Sequence, residues 1–333
     1  MPTNDRHESK QSTAASSIER FYDARYQAGY MDRFWTSAKM TRIRDLLRNL
    51  NLPSTGKALD YGCGNGEMFP VLQAGLSAGW ILSGADISRE ALSIAHERYP
   101  SVTLSTIDAI SHQYDLVFSH HVLEHVHDLD GTIIRIVEAL ALNGILVLVL
   151  PCGNTGSFEE RVVRKYANGV EADKGNRFFY EDVAHLRRLT SNELCQRLVA
   201  HGVNIETVYF SNQLWGGDTM ALVVWTTPDC KCVFRKGAIN IPARLWLWWW
   251  GVVMLLLFGA RFPYHSIVRR KRTKTWVRIV MIPAMLLLPI SLVVDVVLVA
   301  LARREWICHR SSPNGSEMYV IGRKTADLGK EST

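Results

Sequence analysis

Leu59-Asp60-Tyr61-Gly62-Cys63-Gly64-Asn65-Gly66 combines the end of an apolar strand, a glycine-rich turn and the start of a helix. Glycine lets the backbone approach a ligand at positions where a Cβ atom would collide with it. The spacing G-x-G-x-G differs from the G-x-G-x-x-G of dinucleotide sites, whose third glycine would fall at Glu67. This turn therefore predicts a ligand site of another kind.

Two acidic residues follow the next two predicted strands. Asp86 ends the second strand, and a carboxylate at that position can accept hydrogen bonds from both ribose hydroxyls of a nucleoside. Asp108 follows the third strand and can accept a hydrogen bond from an adenine amino group. Because the glycine turn and both acids stand at the carboxyl ends of successive strands, together they predict a nucleoside site.

Strands and helices alternate through this part of the chain. Near-continuous apolar strands separated by helices predict a parallel sheet that is covered on both faces. The segment 152–180 is polar and long for a loop, which is typical of lids and substrate-binding elements. We predict strands at 58–61, 80–85, 102–106, 114–119, 145–150, 204–210 and 220–225, and helices within 18–51 and at 88–98, 131–142 and 190–201.

Five stretches between Ala58 and Pro151 resemble the class I S-adenosylmethionine-dependent methyltransferases, in the broad group that includes the ubiquinone-biosynthesis methyltransferases. They are LDYGCGNGEMFPVL (59–72), GADISREALSIAHERYP (84–100), STIDAI (105–110), YDLVFSHHVLEHVHD (114–128) and LALNGILVLVLP (140–151). The resemblance implies a Rossmann-like seven-stranded sheet with helices on both faces. It also implies S-adenosylmethionine as the cofactor.

The same resemblance implies which residues contact S-adenosylmethionine. The glycine turn faces the methionine part of the cofactor, and Asp60 holds its amino group. Asp86 binds the ribose, and Asp108 and Ile107 lie along the adenine. The predicted cofactor-binding set is Asp60, Gly62, Cys63, Gly64, Gly66, Asp86, Ile87, Ile107, Asp108, Ser119 and His120.

Two later stretches also resemble the group. HLRRLT (185–190) precedes a helix, and EMYVIGRK (317–324) matches a last strand that ends in Arg-Lys. Met220 to Trp225 is the alternative last strand, and the sequence does not decide between the two.

An oxygen acceptor needs a base that removes its proton. His185, His121 and Tyr180 are the candidates, because histidine titrates near neutral pH and tyrosine can relay a proton. The alternative for each of them is an ordinary buried or surface side chain.

His121, Glu124 and His125 are spaced i, i+3 and i+4, so a helix would place three metal-ligating side chains on one face. Some quinone O-methyltransferases of the group that the chain resembles bind a divalent metal near this position through acidic residues, where this chain has histidine. We therefore expect no metal, and we expect residues 122–126 to begin a helix beside the cofactor.

The positive charge of the chain is concentrated in one place. The formal net charge is +6, and seven Lys or Arg residues without an acid lie between Arg261 and Arg278. Removing these seven leaves −1 for the rest of the 333 residues. A basic patch beside hydrophobic sequence predicts an anionic membrane surface as the partner and argues against nucleic acid.

Two apolar runs flank this patch, and we predict that they form a hydrophobic membrane hairpin. The first, 245–260, has four tryptophans and 16 residues, about 24 Å of helix against about 30 Å of hydrocarbon. The second, 279–302, contains Asp295, which is costly in the middle of a membrane. All three flanks are basic, which favours insertion into one leaflet from the cytoplasmic face over two spans.

These patterns predict an enzyme that methylates a lipid-borne acceptor: a quinone precursor, a lipid-linked sugar or a phospholipid headgroup. A soluble-substrate methyltransferase with an oligomerising hairpin and a non-catalytic cofactor-binding membrane scaffold are the alternatives. The expected parts are a disordered tail (1–17), N-terminal helices (18–51), the methyltransferase domain (52–228), the membrane hairpin (239–303) and a possible last strand (316–324).

Overall fold

The computed structural model describes residues 18–30, 37–110, 113–166, 184–215, 238–264 and 286–325. The chain divides into two units, each described below by itself. The first unit contains Met1–Leu150, Asn192–Val208 and Tyr319–Thr333, and the second contains Pro151–Ser191 and Tyr209–Met318.

The described helices are α1 (18–27), α2 (Ser37–Arg48), α3 (Phe69–Gly75), α4 (Arg89–Arg98), α5 (Leu129–Ala139), α6 (Phe158–Val163), α7 (Ser191–Ala200), α8 (Ile241–Tyr264) and α9 (Leu288–His309). The described strands are β1 (Thr55–Tyr61), β2 (Gly79–Asp86), β3 (Thr103–Thr106), β4 (Tyr114–His120), β5 (Leu140–Pro151), β6 (Val203–Ser211) and β7 (Glu317–Lys324).

The strands form one seven-stranded sheet in the order β3-β2-β1-β4-β5-β7-β6. Strands β1 to β5 pair in parallel, with Asp60 opposite Gly84 on one side and Phe118 on the other. The carboxyl ends of these strands therefore meet at one edge, where open α/β sheets bind their ligands.

The centre of the sheet is covered on both faces. Leu116, Val117 and Phe118 are consecutive in β4, and none of them is exposed. Because successive side chains of a strand point to opposite faces, burial of all three requires packing on both sides. This confirms the predicted Rossmann-like seven-stranded class.

Two helix predictions are wrong: the bounds predicted as 131–142, and the helix predicted to begin within 122–126. Helix α5 begins at Leu129 because the Asp128 side chain accepts a hydrogen bond from Gly131 N and caps the helix. Residues 140–142, predicted as its end, belong to β5, where Leu140 pairs with Tyr114. Residues 123–125 form a turn, so the helix predicted to begin within 122–126 is absent.

The last strand of the sheet is 317–324. Strand β7 lies between β5 and β6. Lys324 Nζ donates to the carbonyl of Leu140 at 2.9 Å, and Arg323 Nη1 donates to that of Asn143 at 2.7 Å. The Arg-Lys ending thus ties β7 to the start of β5. The competing segment 220–225 lies outside the described residues.

A buried ion pair lies within the second unit. Arg188 Nη1 donates to Glu159 Oε1 at 2.8 Å, and Arg188 Nη2 donates to Glu159 Oε2 at 2.7 Å. The side chains of Arg188 and Glu159 are 2% and 4% exposed. Arg188 also donates to the carbonyls of Cys152 and Ser316, at 3.1 and 2.9 Å. One side chain therefore links four parts of this unit: 152, α6, the 185–190 stretch and 316.

Helices α8 and α9 pack against each other within the second unit. Asp295, in the middle of α9, lies 2.5 Å from Arg261 Nε, and Ser291 Oγ donates to the carbonyl of Arg261 at 2.9 Å. The aspartate therefore faces the partner helix and is paired there. Pro289 lies in the first turn of α9, where proline is tolerated.

In the ranges that the structure describes, no helix combines the length and the apolar character needed to cross a membrane. The predicted membrane hairpin is therefore unconfirmed, and its two-span form, which needs transmembrane helices, is not supported. Residues 265–285, which include all of the basic patch after Tyr264, lie outside the described residues.

Candidate functional site

The glycine turn after β1 has the backbone that its sequence predicts. Gly62, Gly64 and Gly66 have φ values of +78°, +52° and +81°. A Cβ atom on Gly62 would collide with Val122 Cγ2, and one on Gly64 would lie 2.5 Å from the Tyr26 hydroxyl. The amides of Gly62 and Cys63 donate to the carbonyl of Ala85 at 2.8 and 3.0 Å, which fixes the turn against β2.

Asp60 lies one residue before the end of β1 and is 1% exposed. Its Oδ2 atom has no hydrogen-bond partner among the described residues. Burial, reinforced by the nearby charge of Asp86, raises the pKa of the Asp60 carboxyl to about 8. A buried carboxylate that lacks a partner fits the cationic amino group of a methionine moiety, so the residues present suit the cofactor that the sequence predicts.

The raised pKa of Asp60 predicts how stability changes with pH. The folded protein holds this proton more tightly than the unfolded chain, so the stabilisation is complete below pH 4 and is lost as pH rises through about 8. Asp60→Asn removes the titration. Between pH 6 and pH 8, the free energy of unfolding of the ligand-free wild type should fall by about 2 kcal/mol relative to that of Asp60→Asn. Urea unfolding of both proteins at both pH values measures this difference.

Asp115→Asn is the control for this measurement, because Asp115 is an exposed carboxylate in β4. Its free energy of unfolding should change with pH as that of the wild type does. An Asp60→Asn variant whose difference from the wild type stays constant between the two pH values would contradict the prediction.

Asp86 ends β2 and is held by backbone amides. Its Oδ2 accepts from Gly64 N at 2.8 Å, and its Oδ1 accepts from Ser88 N at 2.9 Å. Burial raises the pKa of the Asp86 carboxyl, while these hydrogen bonds oppose the shift. Both oxygens keep further acceptor capacity, so the carboxylate is fixed in orientation and can still accept from ribose hydroxyls. Ile87, beside it, is half-buried.

The residues predicted to lie along the adenine form a short 3₁₀ turn after β3, Ile107–Ala109. Ile107 is half-buried. The Asp108 side chain is 91% exposed and lies 3.9 Å from Arg135 Nη1. The turn therefore stands at the predicted edge of the sheet, with its carboxylate open to solvent.

Ser119 and His120 end β4 and are buried, at 3% and 8% exposure. Ser119 Oγ donates to the carbonyl of Tyr61 at 2.9 Å, so its hydroxyl joins β4 to β1. The His120 ring stacks on Phe118, with ring centroids 6.3 Å apart. Both residues stand at the carboxyl edge, as predicted, and the serine has a structural partner there.

Helix α1 supplies residues that the sequence did not identify. The Tyr26 hydroxyl lies over Gly64, and burial with the nearby Asp86 raises the pKa of the Tyr26 phenol. The Asp23 carboxylate accepts from Ser88 Oγ at 2.6 Å and from Glu90 N at 3.2 Å, at the start of α4. The sequence predicted helices within 18–51, but it did not predict that one of them covers the glycine turn.

A buried lysine, Lys39, lies beside the end of β4. Lys39 Nζ lies 3.0 Å from His121 Nε2, and His121 Nδ1 lies 3.0 Å from Glu124 Oε1. The sequence identified His121 and Glu124 but missed Lys39, which helix α2 supplies. His121, Glu124 and His125 do not bring three ligand atoms within 4.8 Å of one another in the described part of the chain.

The other two predicted bases lie outside the described part of the first unit. His185 belongs to the second unit and is 7% exposed. Tyr180 lies outside the described residues, as does the part of the long segment from 167 to 183. Their catalytic roles remain predictions.

The family described as "Methyltransferase domain" matches residues 29–208, just over half of the chain. The match begins in the turn after α1 and extends into β6. It includes the glycine turn, Asp60, Asp86 and the cluster around His121.

Individual proteins are more distantly similar. Trans-aconitate 2-methyltransferase from Variovorax paradoxus (strain S110) is 28% identical over 113 residues, which are 32% of this chain and 43% of that enzyme. The chain therefore spans less than half the length of this curated relative.

Two solved structures are similar to this chain at low sequence identity. Phosphoethanolamine N-methyltransferase 2 from Haemonchus contortus, in complex with S-adenosyl-L-methionine, is 17% identical with a TM-score of 0.44, over 86% of this chain and 53% of that one. Magnesium protoporphyrin IX methyltransferase from Synechocystis PCC 6803, with bound S-adenosylhomocysteine, is 17% identical with a TM-score of 0.42, over 61% and 94%.

Proposed function

Because the chain belongs to the methyltransferase-domain family, we propose that it transfers a methyl group from S-adenosylmethionine to a lipid-borne acceptor at the cytoplasmic face of a membrane. Methyl transfer is the general activity of the chain, and S-adenosylmethionine is its cofactor. The sulfonium of that cofactor supplies an activated methyl group. The protein has to hold the acceptor in line with it and exclude water.

The cofactor would be held by residues of the first unit. Asp60 offers a buried, partnerless carboxylate oxygen to the amino group, and Asp86 offers an oriented carboxylate to the ribose. The glycine turn keeps the backbone free of Cβ atoms between them. The single observation that carries the assignment is the buried Asp60 oxygen, because a structural aspartate would have its own partner.

The surface of helices α8 and α9 supports membrane attachment. Large apolar side chains on them are exposed to solvent, among them Leu245, Trp249 and Leu256, each at 67%, and Val293 at 61%. Exposed arginines stand at the ends of the helices: Arg244, Arg303, Arg304 and Arg310. Apolar surface bordered by cations matches an anionic lipid surface into which the helices dip from one side.

A protein held at a lipid surface benefits most when its acceptor is confined there too. We propose an acceptor of the quinone-precursor, lipid-linked sugar or phospholipid-headgroup class. A small carboxylate acceptor, of the kind named for the trans-aconitate relative, is the competing substrate class.

Vesicle flotation with labelled S-adenosylmethionine tests this proposal. We expect the protein to float with phosphatidylethanolamine and phosphatidylglycerol vesicles, to stay bound in 1 M salt, and to pass label to lipid rather than to trans-aconitate. Trp249→Ser with Val293→Ser should lower the bound fraction about tenfold or more, because two apolar side chains are lost from the lipid contact.

The matched control is Val199→Ser, which removes an apolar side chain of 59% exposure from α7, outside the hairpin. It should leave flotation unchanged. A protein that stays off vesicles and self-associates would favour the oligomerising hairpin. One that binds vesicles and S-adenosylmethionine but labels no acceptor would favour the non-catalytic scaffold.

A further inference from the structure

Four backbone amides of the glycine turn are already used inside the protein. Gly62 N and Cys63 N both donate to one carbonyl of β2, at 2.8 and 3.0 Å, and Gly66 N donates to the carbonyl of Cys63 at 3.0 Å. Gly64 N donates to Asp86 Oδ2 at 2.8 Å. A phosphate-binding loop keeps such amides for its anion. Because these four have protein partners, an anionic group beside this turn needs a donor from another element.

S-adenosylmethionine brings an anion of that kind. Its methionine part carries a cationic amino group, for which Asp60 offers a buried oxygen, and a carboxylate on the same carbon. That carboxylate therefore has to lie near Asp60 and Asp86, and both acids disfavour a further negative charge close by. A hydrogen-bond donor at this place would offset the repulsion.

Tyr26, from helix α1, supplies a hydroxyl at the turn. Its oxygen lies 2.5 Å from the position that a Cβ atom on Gly64 would take, and the residue is 9% exposed. Burial, with the nearby charge of Asp86, raises the pKa of the phenol, so the hydroxyl keeps its proton and can donate. Among the described residues, none forms a hydrogen bond with this hydroxyl. The donor is therefore held beside the turn and is available to a ligand.

Helix α1 is tied to the start of α4. Asp23 Oδ1 accepts from Ser88 Oγ at 2.6 Å and from Glu90 N at 3.2 Å. Asp23 and Tyr26 are three residues apart, so their side chains are neighbours on the helix surface. Ser88 N in turn donates to Asp86 at 2.9 Å. Asp23 therefore fixes the helix that carries the hydroxyl close to Asp86, the acid predicted to bind the ribose.

We propose that the Tyr26 hydroxyl donates a hydrogen bond to the carboxylate of S-adenosylmethionine, with Asp23 as the positioning residue that holds α1 over the glycine turn. This inference rests on the cofactor of the proposed function and is independent of its acceptor. The methionine part of the cofactor then has one partner for each of its charges, Asp60 for the amino group and Tyr26 for the carboxylate.

Two ligands separate this contact from general damage to the site: S-adenosylmethionine and its decarboxylated analogue, which keeps the sulfonium and the amino group. In calorimetric titration, Tyr26→Phe should lower the affinity for S-adenosylmethionine about tenfold or more, because a hydrogen bond to a charged group is lost. Its affinity for the decarboxylated analogue should stay within about twofold of the wild-type value.

Asp23→Ala should show the same dependence on the carboxylate, because it releases the helix that carries the hydroxyl. The double variant of Asp23→Ala with Tyr26→Phe should lose less affinity than the product of the two single effects, since both act through one contact.

The control is Tyr99→Phe. The Tyr99 ring also lies against the turn, 2.9 Å from the Cβ position of Gly66, and it packs on Phe69 with ring centroids 5.4 Å apart. The substitution keeps the ring and removes only the hydroxyl. This variant should bind both ligands like the wild type.

Three results would overturn the inference. They are wild-type affinity of Tyr26→Phe for S-adenosylmethionine, an equal loss for both ligands, or an Asp23→Ala loss that does not depend on the carboxylate. A wild type that does not bind S-adenosylmethionine would instead overturn the proposed function.

Discussion

Asp86→Ala lowers the affinity for S-adenosylmethionine about a hundredfold or more in calorimetric titration. The variant loses the carboxylate that we predict accepts hydrogen bonds from the ribose, and charge-assisted hydrogen bonds of this kind are each worth about 1.5–3 kcal/mol. It also releases Gly64 N and Ser88 N, which Asp86 holds at 2.8 and 2.9 Å. The glycine turn therefore loses both a ligand contact and part of its support.

Asp115→Ala provides the comparison for Asp86→Ala. Asp115 also accepts from a backbone amide, that of Lys57 at 2.8 Å, but it lies at the start of β4 and is exposed. We expect wild-type affinity from it. Asp86→Ala protein that keeps a cooperative thermal transition and wild-type affinity would show that the ribose is held elsewhere.

Arg188→Met destabilises the protein by about 3–5 kcal/mol in urea unfolding. The substitution leaves Glu159 buried without its guanidinium, and breaking a buried pair from one side typically costs that much. It also removes the donors to the Cys152 and Ser316 carbonyls. The destabilisation should be seen in the loss of the second unit's structure.

The double variant Arg188→Met with Glu159→Met checks the origin of this effect. Its destabilisation should be smaller than the sum of the two single values, because the second substitution removes the stranded charge. Arg197→Met is the control: its pair with Asp130 is exposed and should contribute less than about 1 kcal/mol. Additive single values would mean that the pair itself is not the source.

The sequence predicted the parts of the fold whose patterns are local. The apolar run 145–150 and the glycine turn can each be recognised from residues that are neighbours in the sequence. The EMYVIGRK stretch was a candidate strand, but its place between β5 and β6 depends on pairing across more than a hundred residues, which no local pattern records.

Candidate site residues were predictable where they follow strands. Asp60 and Asp86 stand at the carboxyl edge because the strands end there. Lys39 and Asp23 were not predictable, because they reach this edge from helices whose packing depends on tertiary contacts. Lys39 stands in an amphipathic stretch, where a charged residue ordinarily indicates a solvated face.

The interior position of β7 also fixes an order of events during synthesis. A ribosome makes β6 and both helices of the hairpin before it makes Glu317–Lys324, yet β7 separates β6 from β5 in the finished sheet. The nascent chain therefore presents its most apolar segments while the sheet still lacks an inner strand. Cotranslational capture of α8 and α9, by lipid or by a chaperone, would precede closure of the catalytic domain.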